Sequence, residues 1–148
     1  MASSVQSLIH NARSLLGLGL EELRRAIEVS AEAVPGDEYG KMEDVTSVDG
    51  LPGFPGTIYL QNDSVALIRI GHDALTGYST ADIKTQLGNE QLQLPSRAGK
   101  LAALYLHADQ GVAYSAQKEQ LHFMEVFHSC TTQEYQALIY RKPGPFIR

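Results

Sequence analysis

Residues 57–72 read TIYLQNDSVALIRIGH and residues 113–128 read AYSAQKEQLHFMEVFH. Each stretch holds two runs rich in apolar residues around a two-residue polar turn, Asn62-Asp63 in one and Lys118-Glu119 in the other. Short alternating runs about so tight a turn are a β-hairpin signal. Strands are therefore expected at Thr57–Gln61, Ser64–Ile70, Val112–Ala116 and Leu121–Phe127. The two stretches align at an offset of 56, with Gln61, Asp63, Val65, Leu67, Ile70 and His72 falling on Gln117, Glu119, Leu121, Phe123, Val126 and His128.

A second alignment precedes each hairpin. At an offset of 60, Gly17, Glu22, Leu23, Arg24 and Ile27 fall on Gly77, Asp82, Ile83, Lys84 and Leu87. Helical spacing of Val5, Leu8, Ile9, Ala12, Leu15 and Leu16 marks a first helix over 4–16. Leu20, Leu23 and Ile27 mark a second, from 20 to about 33, ended by Pro35-Gly36. Ser79 and Asp82 form a capping box for a helix at Thr80–Leu87, closed by Gly88; Thr131 and Glu134 do the same for a helix running to about Tyr140. Short strands complete the reading at 44–48 and 101–107.

The expected fold class is α+β. Two tandem units, about 17–72 and 77–128, each contribute a helix and a three-strand meander. Side by side they form one antiparallel sheet of about six strands with helices on one face, in a single domain spanning 1–148 that ends in a C-terminal helix and tail over 131–148. Strand alternation then assigns faces. Ala66, Ile68, Ile70, His122, Met124 and Val126 point to the helices. Val65, Leu67, Arg69, Leu121, Phe123 and Glu125 point away, joined by Tyr59 and Gln61. Leu104 and Leu106 suit the core, which puts Tyr105 and His107 on the far side as well.

That far face, with Tyr59, Leu67, Arg69, Tyr105, His107, Phe123 and Glu125, has the mixed aromatic and charged composition of a protein-contact surface. The competing reading is a face closed by the chain's own C-terminal helix. A second candidate surface is the acidic segment with Asp37, Glu38, Glu43, Asp44 and Asp49, read either as a solvated loop or as a contact for a basic partner. It lacks the alternating Asp/Asn pattern of a calcium loop.

Composition narrows the classes. The chain has 148 residues, 43% hydrophobic and 20% charged, enough for one core without disulfides. Its net charge is −5, concentrated in residues 1–74, where five basic residues face eleven acidic ones. An acidic chain without a basic stripe is not a nucleic-acid binder. One cysteine, Cys130, makes no disulfide framework or thiol-rich zinc site. No apolar run is long enough to span a membrane. The first basic residue, Arg13, comes late for a secretory signal, so the expected location is cytoplasmic, the alternative being an N-terminus from which a signal has been removed.

Residues 77–88, GYSTADIKTQLG, resemble the pattern Gly-x-Ser/Thr-x-x-Asp/Glu-apolar-x-x-x-Leu-Gly. It is similar to the repeat of the β-lactamase inhibitory protein group and of the small outer-membrane-assembly lipoproteins that share its fold. The likeness runs over 77–128 and, more loosely, over 17–72, where Ile27-Glu28 replaces Leu-Gly. It implies a tandem α+β fold that binds a protein through a concave sheet face and hairpin loops. Two family features are missing: a lipidation cysteine and the cysteine pairs of the inhibitors.

Catalytic motifs are absent: there is no Gly-x-Ser-x-Gly, phosphate loop or His-Glu-x-x-His. His122 and His128 lie about 20 Å apart at strand rise, too far to share a metal. His128 beside Cys130 reads as a nucleophile pair or as an inert half-buried thiol. The functional expectation is a non-enzymatic protein-binding domain, an inhibitor, immunity or assembly factor, with no cofactor, no metal and no catalytic residue, acting on another protein or as a homodimer. The alternative is an α+β roll with a small-molecule or catalytic pocket at Tyr105, His107, Phe123 and Glu125, where Glu125 between two phenylalanines serves as acid or base.

Overall fold

The computed structural model describes residues 5–27, 34–35, 45–48, 56–97 and 101–140. The chain is α+β. In order it forms α1 (Val5–Arg13), α2 (Leu20–Ile27), β1 (Val34–Pro35), β2 (Val45–Val48), β3 (Gly56–Gln61), β4 (Ser64–Gly71), α3 (His72–Leu75), α4 (Thr80–Leu87), β5 (Leu92–Pro95), β6 (Ala103–His107), β7 (Val112–Gln117), β8 (Gln120–Phe127) and α5 (Thr132–Leu138), with a 3-10 turn at Ala108–Gln110.

All pairings are antiparallel, and the sheet order is β1-β2-β3-β4-β8-β7-β6-β5. Each half is a four-strand meander preceded by two helices, and the halves meet where β4 pairs with β8. Among the described residues the sheet has eight strands, where about six are expected from sequence. The additional two, β1 and β5, are short edge strands that each contain a proline. A proline lacks the N–H that an inner strand must donate, so it is tolerated at an edge.

The helix layer follows from sequence spacing. Val5, Ile9 and Ala12 of α1, Leu23 of α2, Leu75 of α3 and Ile83 and Leu87 of α4 are buried in one core with Ile58, Leu60, Val65, Ile68, Ile70, Val112, Tyr114, Leu121, Met124 and Val126. Both capping boxes form. Ser79 Oγ accepts from the Asp82 amide at 3.2 Å and Asp82 accepts from the Ser79 amide at 3.0 Å. Thr131 and Glu134 repeat the exchange at 3.0 and 2.9 Å.

A second core lies on the other side of the sheet. Val45, Leu67, Leu104, Leu106, Ala113 and Phe127 are buried there with Tyr135 and Ile139 at α5. Helices therefore pack on both faces, which corrects the expectation of one. It also inverts β6. Leu104 and Leu106 fill the second face, whereas Tyr105 packs against the helix-layer core, and His107 shares its side opposite Val112. Where both faces of a strand are covered, apolar residues occur on both and alternation loses its direction.

A β-bulge interrupts each hairpin at the same place. Tyr59 pairs with Leu67 and Leu60 with Val65, leaving Ala66 as the extra residue. Ser115 pairs with Phe123 and Ala116 with Leu121, leaving His122. The bulge turns Val65 and Leu121 toward the helices, opposite to the expected side, and leaves Ala66 against the second core. It also frees strand backbone groups that need partners. The Gly17 amide donates to the Val65 carbonyl at 2.9 Å and the Val65 amide to the Leu18 carbonyl at 2.8 Å. In the other half the His72 imidazole donates through Nδ1 to the Leu121 carbonyl at 2.9 Å.

Candidate functional site

Of the seven sheet-face residues singled out from sequence, five share the second face: Tyr59, Leu67, Arg69, Phe123 and Glu125. Cross-strand partners on one face confirm the grouping, with Tyr59 opposite Leu67 and Arg69 opposite Glu125. Tyr105 and His107 are on the helix side, so the pocket envisaged from Tyr105, His107, Phe123 and Glu125 is not assembled. The acidic residues Asp37, Glu38, Glu43 and Asp44 lie outside the described residues.

Burial separates the five further. Leu67 is fully buried, and Glu125 is 4% exposed. Tyr59, Arg69 and Phe123 are half-buried. They sit on β3, β4 and β8, three strands that are neighbours in the sheet. The Arg69 guanidinium carbon lies over the Phe123 ring, 4.6 Å from its centroid, a cation–π contact. Ser47 and Thr57 flank the group, paired with Tyr59 and Arg69 respectively.

Glu125 has a structural partner that sequence reasoning missed. The Tyr135 hydroxyl of α5 donates to its carboxylate. Tyr135 also packs on Phe127 at 5.1 Å between ring centroids and on Tyr140 at 6.3 Å, and the Tyr140 hydroxyl donates to the Pro95 carbonyl at 2.8 Å. This chain of contacts seats α5 over β8 to β5. The available signal was the four-residue spacing of Tyr135 and Ile139, a helical stripe with no face of its own half to cover.

The remaining chemistry is sparse. Burial, with Glu134 nearby, pushes the Cys130 thiol above its ordinary range, which works against thiolate formation. Among the described residues, no cluster of three or more His, Cys, Asp or Glu is arranged to hold a metal ion. No described helix is long and apolar enough to cross a membrane. No family model, curated protein or solved structure matches the chain.

Proposed function

We propose that this protein binds another protein through the second face of its sheet, at the patch formed by Tyr59, Arg69 and Phe123. The observation that carries the reading is the half-buried Arg69–Phe123 stack beside Tyr59, on the same face as α5 and next to the Glu125–Tyr135 contact that seats it. Tyrosine, arginine and phenylalanine are the side chains that dominate interface energetics, because they bury large rigid surfaces and keep a polar handle. The resemblance of residues 77–128 to a tandem-repeat family that binds proteins by a sheet face supports the same reading. Buried Leu67 and Glu125 act beneath this surface as its support.

The test uses the parent and two variants, Tyr59→Ala and Phe123→Ala, as baits in lysate from the native source, with thermal unfolding as the control for folding. A partner captured by the parent should bind each variant more weakly by about 2 kcal/mol, roughly 30-fold. Arg69→Glu should slow association and increase its dependence on salt. Sedimentation of the parent tells whether the partner is a second copy. Unchanged affinity in both aromatic variants would overturn the assignment.

A further inference from the structure

His107 closes β6 on the helix side of the sheet. Its residue surface is 1% exposed, and among the described residues neither ring nitrogen has a hydrogen-bond partner. The ring stacks on Tyr114 of β7 at 5.8 Å between centroids, and Tyr114 stacks in turn on Tyr105 at 5.1 Å. The Tyr114 hydroxyl is also buried and has no partner among the described residues. Val112 stands opposite His107 in the ladder. The charged groups whose fields reach the imidazole are Glu90, in the turn between α4 and β5, and Asp109, in the 3-10 turn. Glu90 is half-buried and Asp109 exposed.

The Gln91 amide donates to the Leu106 carbonyl at 2.8 Å, the Cys130 amide to the Ala108 carbonyl at 2.9 Å and the Ser129 hydroxyl to the Asp109 carbonyl at 2.7 Å. Three side-chain contacts tie the turns to one another and to α1. The Asp109 amide donates to Gln91 Oε1 at 3.1 Å, Gln110 Nε2 donates to the Leu87 carbonyl at 2.8 Å, and the Arg13 guanidinium donates to the Gln110 carbonyl at 2.5 Å. They join α1, the end of α4 and the 3-10 turn around the end of β6.

A neutral imidazole without partners is already costly to bury, and an imidazolium is far more so. The acidic groups that a charged ring would be drawn to, Glu90 and Asp109, belong to the turns held by Gln91 and Gln110. We propose that His107 is an acid-operated latch: its protonation releases the α4–β5 turn and the 3-10 turn from the sheet and leaves the other strand pairings in place.

Burial holds the imidazole below its ordinary 6.5, with Glu90 and Asp109 opposing. A histidine whose folded-state value is depressed takes up a proton on opening. Its full stabilising contribution is therefore present above 6.5 and is lost as pH falls toward the folded-state value. Each unit of depression corresponds to about a tenfold shift in the opening equilibrium.

Two measurements on the full chain, from about pH 7.5 to about pH 5, test the latch. Histidine C2–H exchange read by mass spectrometry should give His107 a midpoint below 6.5 and slow exchange. Amide exchange, corrected for its intrinsic pH dependence, should accelerate over 88–91 and 107–111 in step with that titration. His107→Phe keeps a ring and removes both nitrogens, so its amide exchange in these segments should lose the acid-induced acceleration. A His107 midpoint at or above 6.5, amide exchange that does not follow the titration, or equal acid acceleration in His107→Phe would overturn the proposal. Should His107→Phe fail to fold, the two readouts on the parent decide alone.

Discussion

The strands β3 and β7 occupy matching positions in the two halves of the sheet, yet they are buried differently. Along β3 burial alternates, with Ile58 and Leu60 buried and Thr57, Tyr59 and Gln61 half-buried. In β7 every residue from Val112 to Ala116 is buried. The hairpins share a length and a bulge position, so the strands themselves do not account for this. The difference lies in what covers the second face. Tyr135 and Ile139 at α5 seal it over the second half, where small or apolar side chains (Ala113, Leu104, Leu106) share their core. Over β3 and β4 the same face carries Tyr59 and Arg69. One strand template thus serves as core in one half and as a candidate contact surface in the other.

Three substitutions bear on that comparison. The largest effect is expected where the halves agree. Ile68 and Met124 are equivalent under the offset of 56, and both are completely buried against the helix layer. Alanine at either position should cost about 2–5 kcal/mol in denaturant unfolding. A large cost at one and none at the other would show that the helix-side cores of the two halves are not comparable.

An intermediate effect is expected at α5, the cover of the second half. Tyr135→Phe removes the hydroxyl that serves the buried Glu125 carboxylate and should cost about 1–3 kcal/mol. The accompanying rise in amide exchange should be centred on β7, β8 and α5. A rise of equal size in β3 would mean that α5 braces the whole sheet.

The smallest effect concerns the turns. Asn62 and Asp63 adopt φ of 54° and 59°, a left-handed geometry that their short polar side chains tolerate. Lys118, in the matching turn, has φ of 56° and no such advantage. Lys118→Asn should raise stability by about 0.5 kcal/mol, read as a higher denaturation midpoint. A loss of stability would show that Lys118 contributes more to the turn through contacts than its backbone geometry costs.

Much of the fold is legible in the chain because its signals are local. Two-residue turns place the hairpins, and capping boxes place the starts of α4 and α5 within a residue. Face assignment depends on information that is not local. A bulge reverses parity by one residue, and nothing in the pairs Val65-Ala66 or Leu121-His122 marks which member is the extra one. At Tyr105 and His107 the reading fails for a different reason. Leucines usually indicate the only covered side of a strand, and here they line a second core made by a helix more than 20 residues downstream. The candidate site suffers the same loss. Tyr59, Arg69 and Phe123 were found because they share a face with Leu67, while His107 and Tyr105 were added through inverted parity. The edge strand β5 escaped because Leu-Gln-Leu-Pro is too short to show a period.

The register at the seam between β4 and β8 has a further consequence. Ile68 stands opposite Val126 and Ile70 opposite Met124, while Leu67 faces Phe127 and Gly71 faces Phe123. Under the offset of 56 these pairings are reciprocal, as in an isologous interface with a two-fold axis. The axis falls at Arg69 and Glu125, the one matched pair in which each residue faces its own equivalent. In a dimer of identical chains that position would set a side chain against its own copy, and any charge there would repel itself. Joining the two halves in one polypeptide lifts that restriction, so a cation and an anion occupy the centre of symmetry.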